Sequence, residues 1–442
     1  MDTIKKELEV QKTSKSSKQF SAPRGMKDVL PGENRYWTHI RNTVHKFAST
    51  FGFSLIQTPI LEDAGLFERS SGIASDVVRK EMYILPAKGG QKLALRPEGT
   101  AGIARAYIEN GMSNLSQPVK LYYEGQMFRY ERPQAGRRRQ HSQFGFEVFG
   151  SDDAVIDAQL IYLAWKIFYK LGIKNISIHV NSIGCSECRK GYRSALLNFL
   201  KSRKARLCKD CIERIALNPL RVLDCKNDDC KEVIADAPQI VDHLCKECHD
   251  HLMLVLEFLD ELDVPYFLNP KLVRGLDYYT KTVFEICSDD EEFKDSHVQF
   301  GGGGRYDNLV KDLGGGEIPA AGFGMGIERM IMLMKHRGVK VPERKKAKVF
   351  LVALGTIGRK KGLKLFESLT NVGIFVKESF AKGSLKSQLK AADKEGSLLS
   401  IIIGQKEAID NVVIMRDMVS GAQEMIGEEK IFTRVKKMLK NI

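Results

Sequence analysis

Four side chains between Arg129 and Glu147 have the types and spacing to handle a small charged molecule. They sit in two alternating polar and apolar segments, VKLYYEGQMFRYE and QFGFEVF. Successive side chains of an extended strand point to opposite faces, so Arg129 and Glu131 share one face. Gln143 and Glu147 share another, while Phe144, Phe146 and Val148 point away. The loop between the segments, Arg132 to Arg139, carries four arginines, and His141 follows it. Val119 to Gly150 thus reads as a hairpin with an apolar back, a polar floor and a basic tip. A rise of about 3.3 Å per residue puts Gln143 and Glu147 about 13 Å apart, a long span for one small ligand. An ordinary hairpin with a solvated loop fits these residues as well as a substrate floor does.

Other residues with chemical potential lie further out. In KLALRPEGT, Glu98 sits at a turn and Thr100 is placed to cap a helix beginning near Ala101. Arg274 precedes the adjacent tyrosines Tyr278 and Tyr279, which face opposite sides if that segment is extended. Arg329 falls in the first turn of a helix predicted from PAAGFGMGIERMIMLM, off its apolar stripe of Ile327, Met330, Ile331 and Met334. A helix N-terminus attracts anions, and an arginine there adds to the attraction. The glycines Gly322, Gly324 and Gly326 fail the dinucleotide fingerprint, and no P-loop ending exists. A nucleotide bound here needs a different fold.

The elements that must position these groups follow from periodicity. Tyr36, Ile40, Val44 and Phe47 predict an amphipathic helix over Glu33–Phe51. SLIQTPIL reads as a strand whose Pro59 belongs at an edge, near a boundary or subunit interface. A helix is expected over Asp152–Leu171 and a strand over Ile176–Ser182. Ser186 to Glu261 is mostly helical and looks inserted. Strand pattern resumes over Pro265–Ile286, and His297–Val310 turns through four glycines into a helix. After a charged linker, Arg337 to Lys348, strands alternate with helices as in a compact α/β domain.

The chain has 442 residues, 43% hydrophobic and 28% charged, enough for two or three domains with real cores. No apolar run is long enough to cross a bilayer. The first residues lack an apolar core and read as a mobile Lys/Ser-rich tail rather than a secretory or transit signal. The net charge is +14, and residues 338–442 hold 21 Lys and Arg against 11 Asp and Glu. A basic end segment suits either a polyanionic partner, nucleic acid before membrane, or a solubilising surface. All nine cysteines lie between Cys185 and Cys287 and are expected to be reduced. Three pairs have two-residue gaps, Cys185/Cys188, Cys208/Cys211 and Cys245/Cys248. Cys225/Cys230 has a four-residue gap. Such pairs are a zinc signal, and buried free thiols are the alternative.

From Pro23 onward the sequence resembles a class II aminoacyl-tRNA synthetase, and more narrowly a bacterial-type histidyl-tRNA synthetase. PRGMKDVLP, the Pro59 strand, LRPEGT, FRYERPQAGR, LVRGLDYYT, GGGGRYDNL and GFGMGIERM carry the resemblance, in the family's order. It implies an α+β architecture: an antiparallel-sheet catalytic domain with a helical insertion, and a C-terminal α/β anticodon-binding domain. The corresponding divisions are a tail (1–22), catalytic parts (23–185 and 262–337), the insertion (186–261) and the linker with anticodon domain (338–442). It also implies a cytoplasmic homodimer joined through the Pro59 region. The implied reaction joins L-histidine to ATP, with Mg2+, and passes the histidyl group to tRNA(His).

The resemblance gives the residues roles. Arg129 and Arg274 would flank the α-phosphate and Arg329 would grip the γ-phosphate. Glu131, Arg139 and His141 would complete the ATP site. Glu98, Thr100 and Gln143 would receive the α-amino group, and Glu147, Tyr278 and Tyr279 the imidazole. His141 and Ser142 replace the Phe-His usual in the family before the glutamine, so His141 either stacks on adenine or stays a solvated loop residue. No metal is an expected requirement of the insertion. A non-catalytic regulatory subunit of histidine biosynthesis is the rival reading; such proteins lose the phosphate-binding arginines and the anticodon domain.

Overall fold

The computed structural model describes residues 20–73, 75–134, 136–288, 290, 299–343 and 347–440. Most of the expected tail, residues 1–22, lies outside the described residues, as does His297. The chain divides into two compact units that meet in sequence at Val341 and Pro342. Among the described residues no helix is long and apolar enough to cross a membrane.

The strands of the first unit are β1 (Ser54–Leu55), β2 (Leu61–Asp63), β3 (Tyr83–Pro86), β4 (Lys92–Leu95), β5 (Val119–Phe128), β6 (Gln140–Phe149), β7 (Ile176–Ser182), β8 (Tyr266–Leu268), β9 (Thr280–Ser288), β10 (Gln299–Arg305) and β11 (Ala320–Gly326). Eight of them form one sheet in the order β1-β5-β6-β11-β10-β9-β7-β8, and β2-β4-β3 form a side sheet. Pairing in the large sheet is antiparallel except at its edges, where β1 with β5 and β7 with β8 run parallel. The apolar back of the hairpin is built as alternation requires. Phe144, Phe146 and Val148 are buried in one cluster with Phe284, Phe323 and the helix residues Trp37, Ile40 and Val44. Helix Asn34–Thr50 buries Trp37, Ile40, Val44 and Ala48, so its inner stripe includes the tryptophan, with Tyr36 and Phe47 partly buried at its margin. Asp153 caps helix Ala154–Lys170 by accepting from the Val155 N–H at 2.9 Å.

Three sequence expectations change. SLIQTPIL is not one strand: Pro59, which has no N–H to give a ladder, separates β1 from β2. The run Gly301–Gly304 is not a turn but the middle of β10, paired with β9 and β11. Thr100 is the first residue of helix Thr100–Glu109, not its cap; the Glu98 carboxylate accepts from the Thr100 and Ala101 N–H groups at 2.7 and 2.9 Å.

Between β7 and β8 lie four main helices, Ser186–Ser202, Lys209–Leu217, Asp228–Ala235 and Lys246–Glu261. The first three gather their own core around Tyr192, Leu196, Leu200, Val222 and Val233.

The second unit holds β12 (Val349–Ala353), β13 (Val376–Glu378), β14 (Leu399–Ile403), β15 (Val412–Asp417) and β16 (Gln423–Gly427), ordered β13-β12-β14-β15-β16. β12 pairs in parallel with both β13 and β14, through helical connections, which is the expected α/β pattern. β16 closes an antiparallel edge that short apolar spacing in the sequence did not reveal.

Candidate active site

A cleft opens on the face of the large sheet opposite its aromatic back. Arg129 and Glu131 from the end of β5, His141 and Gln143 from β6, Arg274 and Arg329 all line it. Arg129 follows β5 and donates from Nε to the Pro97 carbonyl at 2.9 Å, with Glu131 at 4.0 Å. Arg274 lies on the loop before β9. Its Nη1 meets the Glu285 carboxylate at 2.5 Å, and its guanidinium lies 5.6 Å from the Tyr279 ring centre. Arg329 projects from the first turn of helix Ile327–His336 and donates to the carbonyls of Gly136 at 2.8 Å and Gln299 at 2.5 Å.

Positive charge exceeds what the cleft neutralises internally. Five arginines line it, Arg137 and Arg138 from the tip included, against the carboxylates of Glu131 and Glu328. Both oxygens of Glu328 already accept from the Ser142 N–H at 2.9 Å. Burial, with Arg137 and Arg129 nearby, pulls the Arg329 pKa down to about 10. Burial works against the Arg274 charge too, but Glu285 and the two tyrosines hold its pKa above the usual arginine value. Burial and the cations Arg129 and Arg329 lower His141 to about 3, so its ring is neutral at physiological pH. Such a cleft favours a polyanion carrying a flat apolar group.

The other predicted residues sit at the inner end of the floor. Glu147 is fully buried. It accepts from the Thr100 hydroxyl at 2.8 Å and from the Tyr306 hydroxyl, and burial raises its pKa to about 8 against those two donors. Glu98 is also buried, with its pKa raised by desolvation that the two backbone N–H donors only partly offset. Tyr278 and Tyr279 are not on opposite sides. They lie in a turn before β9 and pack together with ring centres 4.7 Å apart, both against Tyr306. Two strand pairings explain how side chains can lie flat on this floor. Gly322 of β11 faces Glu147, and Gly326 faces Gln143. A Cβ at Gly322 would strike the Glu147 carboxylate and the Tyr306 hydroxyl, and one at Gly324 would strike the Gln143 amide.

Between Gln143 and Glu147 the floor shows Gly145, crossed by the ring of Tyr123 from β5. The Tyr123 hydroxyl is buried without a hydrogen-bond partner among the described residues. The span of about 13 Å is therefore bridged by an aromatic side chain with a free polar tip. Of the residues the resemblance would place at ATP, only Arg139 turns elsewhere. Its guanidinium stacks 3.7 Å from the Tyr130 ring centre, and its stem packs on Gly25, while Arg137 and Arg138 take the cleft. A loop pairing of Gln134 with Arg137 reverses the chain there and breaks the simple alternation that sequence spacing assumes.

Sequence reasoning missed Tyr306, Glu285 and Tyr123. Tyr306 lies in the quoted GGGGRYDNL motif, so that signal was available. Glu285 sits mid-strand in an apolar run, and a charge there asks for a partner.

Comparison with known proteins identifies the family. A model of the histidyl-tRNA synthetase family covers residues 25–330, and one of an anticodon binding domain covers 348–438. The chain belongs to the histidyl-tRNA synthetase family. A histidine–tRNA ligase of Dehalococcoides mccartyi strain 195 is 43% identical over 95% of this chain and all of its own length. That of Acetivibrio thermocellus is 42% identical over 94% of this chain and 99% of its own. The structure of apo histidyl-tRNA synthetase from S. aureus superposes with a TM-score of 0.77 at 33% identity, covering 93% of this chain and 98% of that one. The antiparallel sheet with its flanking helices is the family's class II architecture.

Proposed function

We propose that this chain activates L-histidine with ATP and transfers it to tRNA(His). The carrying observation is the pairing of a cationic cleft, in which burial and neighbouring arginines lower the Arg329 pKa, with the buried Glu147–Tyr306–Thr100 cluster at the inner end. A triphosphate suits the first and an imidazole with two ring nitrogens suits the second.

In this reading an oxygen of the histidine carboxylate attacks the α-phosphorus, the bond to the bridging oxygen breaks, and pyrophosphate leaves. Arg129 and Arg274 hold the α-phosphate, while Arg329 takes the γ-phosphate. Positioning and charge dispersal supply the rate, with no side-chain nucleophile. His141, neutral and flat, stacks on adenine. The ammonium of histidine lies among Glu98, Thr100, Gln143 and the free hydroxyl of Tyr123. Glu147, Tyr306, Tyr278 and Tyr279 read the ring. An amino acid lacking the ring N–H leaves buried groups unpaired, which is a steep basis for discrimination. A ribose hydroxyl at the 3′ end of tRNA(His) then attacks the carbonyl of the adenylate, and AMP departs.

Mg2+ fits this cleft in a limited way. Glu131 keeps an oxygen without a hydrogen-bond partner among the described residues, with Arg137 3.6 Å from it, and phosphates with water would complete a hard oxygen shell. The ion would neutralise charge on the phosphates. Residues 338–442, with their basic excess, would take the anticodon arm, and 186–261 form the inserted domain. A homodimer would cover the exposed apolar side chains Leu55, Ile60, Leu61, Ile84 and Leu85 around the side sheet. A cytoplasmic site suits unbridged cysteines and a tRNA substrate. The regulatory reading has no observation in its favour, since all three phosphate arginines line the cleft.

Histidine-dependent ATP–pyrophosphate exchange, followed by charging of tRNA(His), tests the activity. Exchange that is absent with histidine, or equal with other amino acids, rejects it. Light scattering of the wild type and of Leu61→Glu tests the dimer; a monomeric wild type rejects that part.

A further inference from the structure

Eight of the nine cysteines form two exclusive groups of four. In one, Cys185, Cys188, Cys245 and Cys248 bring their sulfurs within 4.8 Å of one another; in the other, Cys208, Cys211, Cys225 and Cys230 do the same. None is bridged to another. The pairs meet from distant segments, so each group is a tertiary construction rather than a consequence of local spacing.

Three of the four pairs share one design. Cys185, Cys208 and Cys245 each occupy the N-cap position of a helix, and Cys188, Cys211 and Cys248 lie in the first turn that follows. One turn therefore presents two sulfurs on one side of each helix start. The groups also receive backbone donors across segments: the Cys245 N–H reaches the Cys188 sulfur at 3.1 Å, and the Cys208 N–H reaches that of Cys230 at 3.2 Å.

Buried free thiols behave as small hydrophobes and have no need of one another. Tetrahedral zinc does impose a distance. With Zn–S bonds of about 2.3 Å, neighbouring sulfurs stand about 3.8 Å apart. The Cys185–Cys188 and Cys208–Cys225 sulfurs lie 3.6 and 3.8 Å apart.

We propose that the inserted helical module carries two structural zinc ions, each held by one group of four cysteines, in place of the metal-free module expected from sequence. The first group joins the segment leaving β7 to the helix that returns toward β8, stapling the base of the insertion. The second ties helices Lys209–Leu217 and Asp228–Ala235 to the segment at Cys225 within a small core. Both back the active site. Arg189, next to Cys188, donates to the Tyr279 carbonyl at 2.8 Å, and Arg221, in the segment between Cys211 and Cys225, reaches the Arg274 carbonyl at 3.4 Å.

Elemental analysis of the full chain, purified without a metal-binding tag from zinc-replete cells, tests this. About two zinc per chain are expected. Cys208→Ser/Cys211→Ser should retain about one, and Cys287→Ser should retain both. If the double variant does not fold, the wild type stripped by a thiol-reactive mercurial, reduced and refilled with cobalt should show the intense visible absorption of tetrahedral thiolate cobalt, with a break near two equivalents. Zinc below roughly a tenth of an equivalent, with no such absorption on cobalt addition, overturns the proposal. Iron in place of zinc overturns the metal assignment, and a Cys287→Ser protein that loses metal overturns the ligand assignment.

Discussion

Tyr306 donates its hydroxyl to Glu147 inside a pocket from which both are excluded from solvent. The same carboxylate receives Thr100 on its other oxygen. Glu147 is thereby oriented before any ligand arrives, so the proposed contact with an imidazole would cost little conformational freedom. Tyr306→Phe should raise the KM for histidine about tenfold or more while leaving that for ATP within about twofold, because a buried acceptor loses a donor. Pyrophosphate exchange at varied histidine and varied ATP separates the two; equal changes in both would place Tyr306 in a purely structural role.

Glu147 also sets a pH dependence of stability. Its pKa in the folded chain is about 8, far above its ordinary value of 4.5. The folded state thus keeps a proton that the unfolded state releases, so this contribution is fully present below the ordinary carboxylate pKa. It is lost as pH rises through about 8. Urea unfolding at several pH values should show stability falling across that interval, and Glu147→Gln should flatten the fall.

Arg274 cannot be removed cleanly. Its partner Glu285 is buried, and truncating one member of a buried ion pair typically costs about 3–5 kcal/mol. Arg274→Ala is expected to melt lower as well as lose adenylate formation. Arg274→Gln/Glu285→Gln should recover most of the melting temperature and none of the exchange activity. Thermal melts beside exchange assays decide this, and recovery of activity in the double variant would remove Arg274 from the phosphate site.

His141 offers an aromatic face without a charge. Stacking of this kind contributes about 0.5–1.5 kcal/mol, so His141→Ala should raise the KM for ATP about two- to tenfold, and His141→Phe should restore or improve it. The KM for histidine should not move in either. An unchanged KM for ATP in His141→Ala would leave the ring as a loop residue.

Much of this was legible in the sequence because strand alternation and helix starts are local. The aromatic back, the shared face of Gln143 and Glu147, and Arg329 at a helix N-terminus all followed from periods of two and 3.6. What stayed hidden depended on other strands. Glycine breaks strands by propensity, so Gly301–Gly304 suggests a turn; here a side chain at these positions would strike the neighbouring strands, and at Gly302 the Arg274 guanidinium as well. The tyrosine pair would face opposite sides in an extended segment, but it lies in a turn, and only the rings beside it show that. Arg139 and Arg137 exchanged places because a loop reversal has no period. Four cysteine pairs were visible, but which pairs meet is decided by helix packing.

The bare strip of β11 has a historical consequence. Gly322 and Gly324 hold the floor open by what they lack, and every other amino acid brings atoms that would collide with Glu147 or Gln143. A change at either glycine is tolerated only with a smaller facing polar residue, and at Gly322 the Phe146 carbonyl would have to move as well. The facing strands are therefore locked together, and drift in the floor must pass through paired changes rather than single ones.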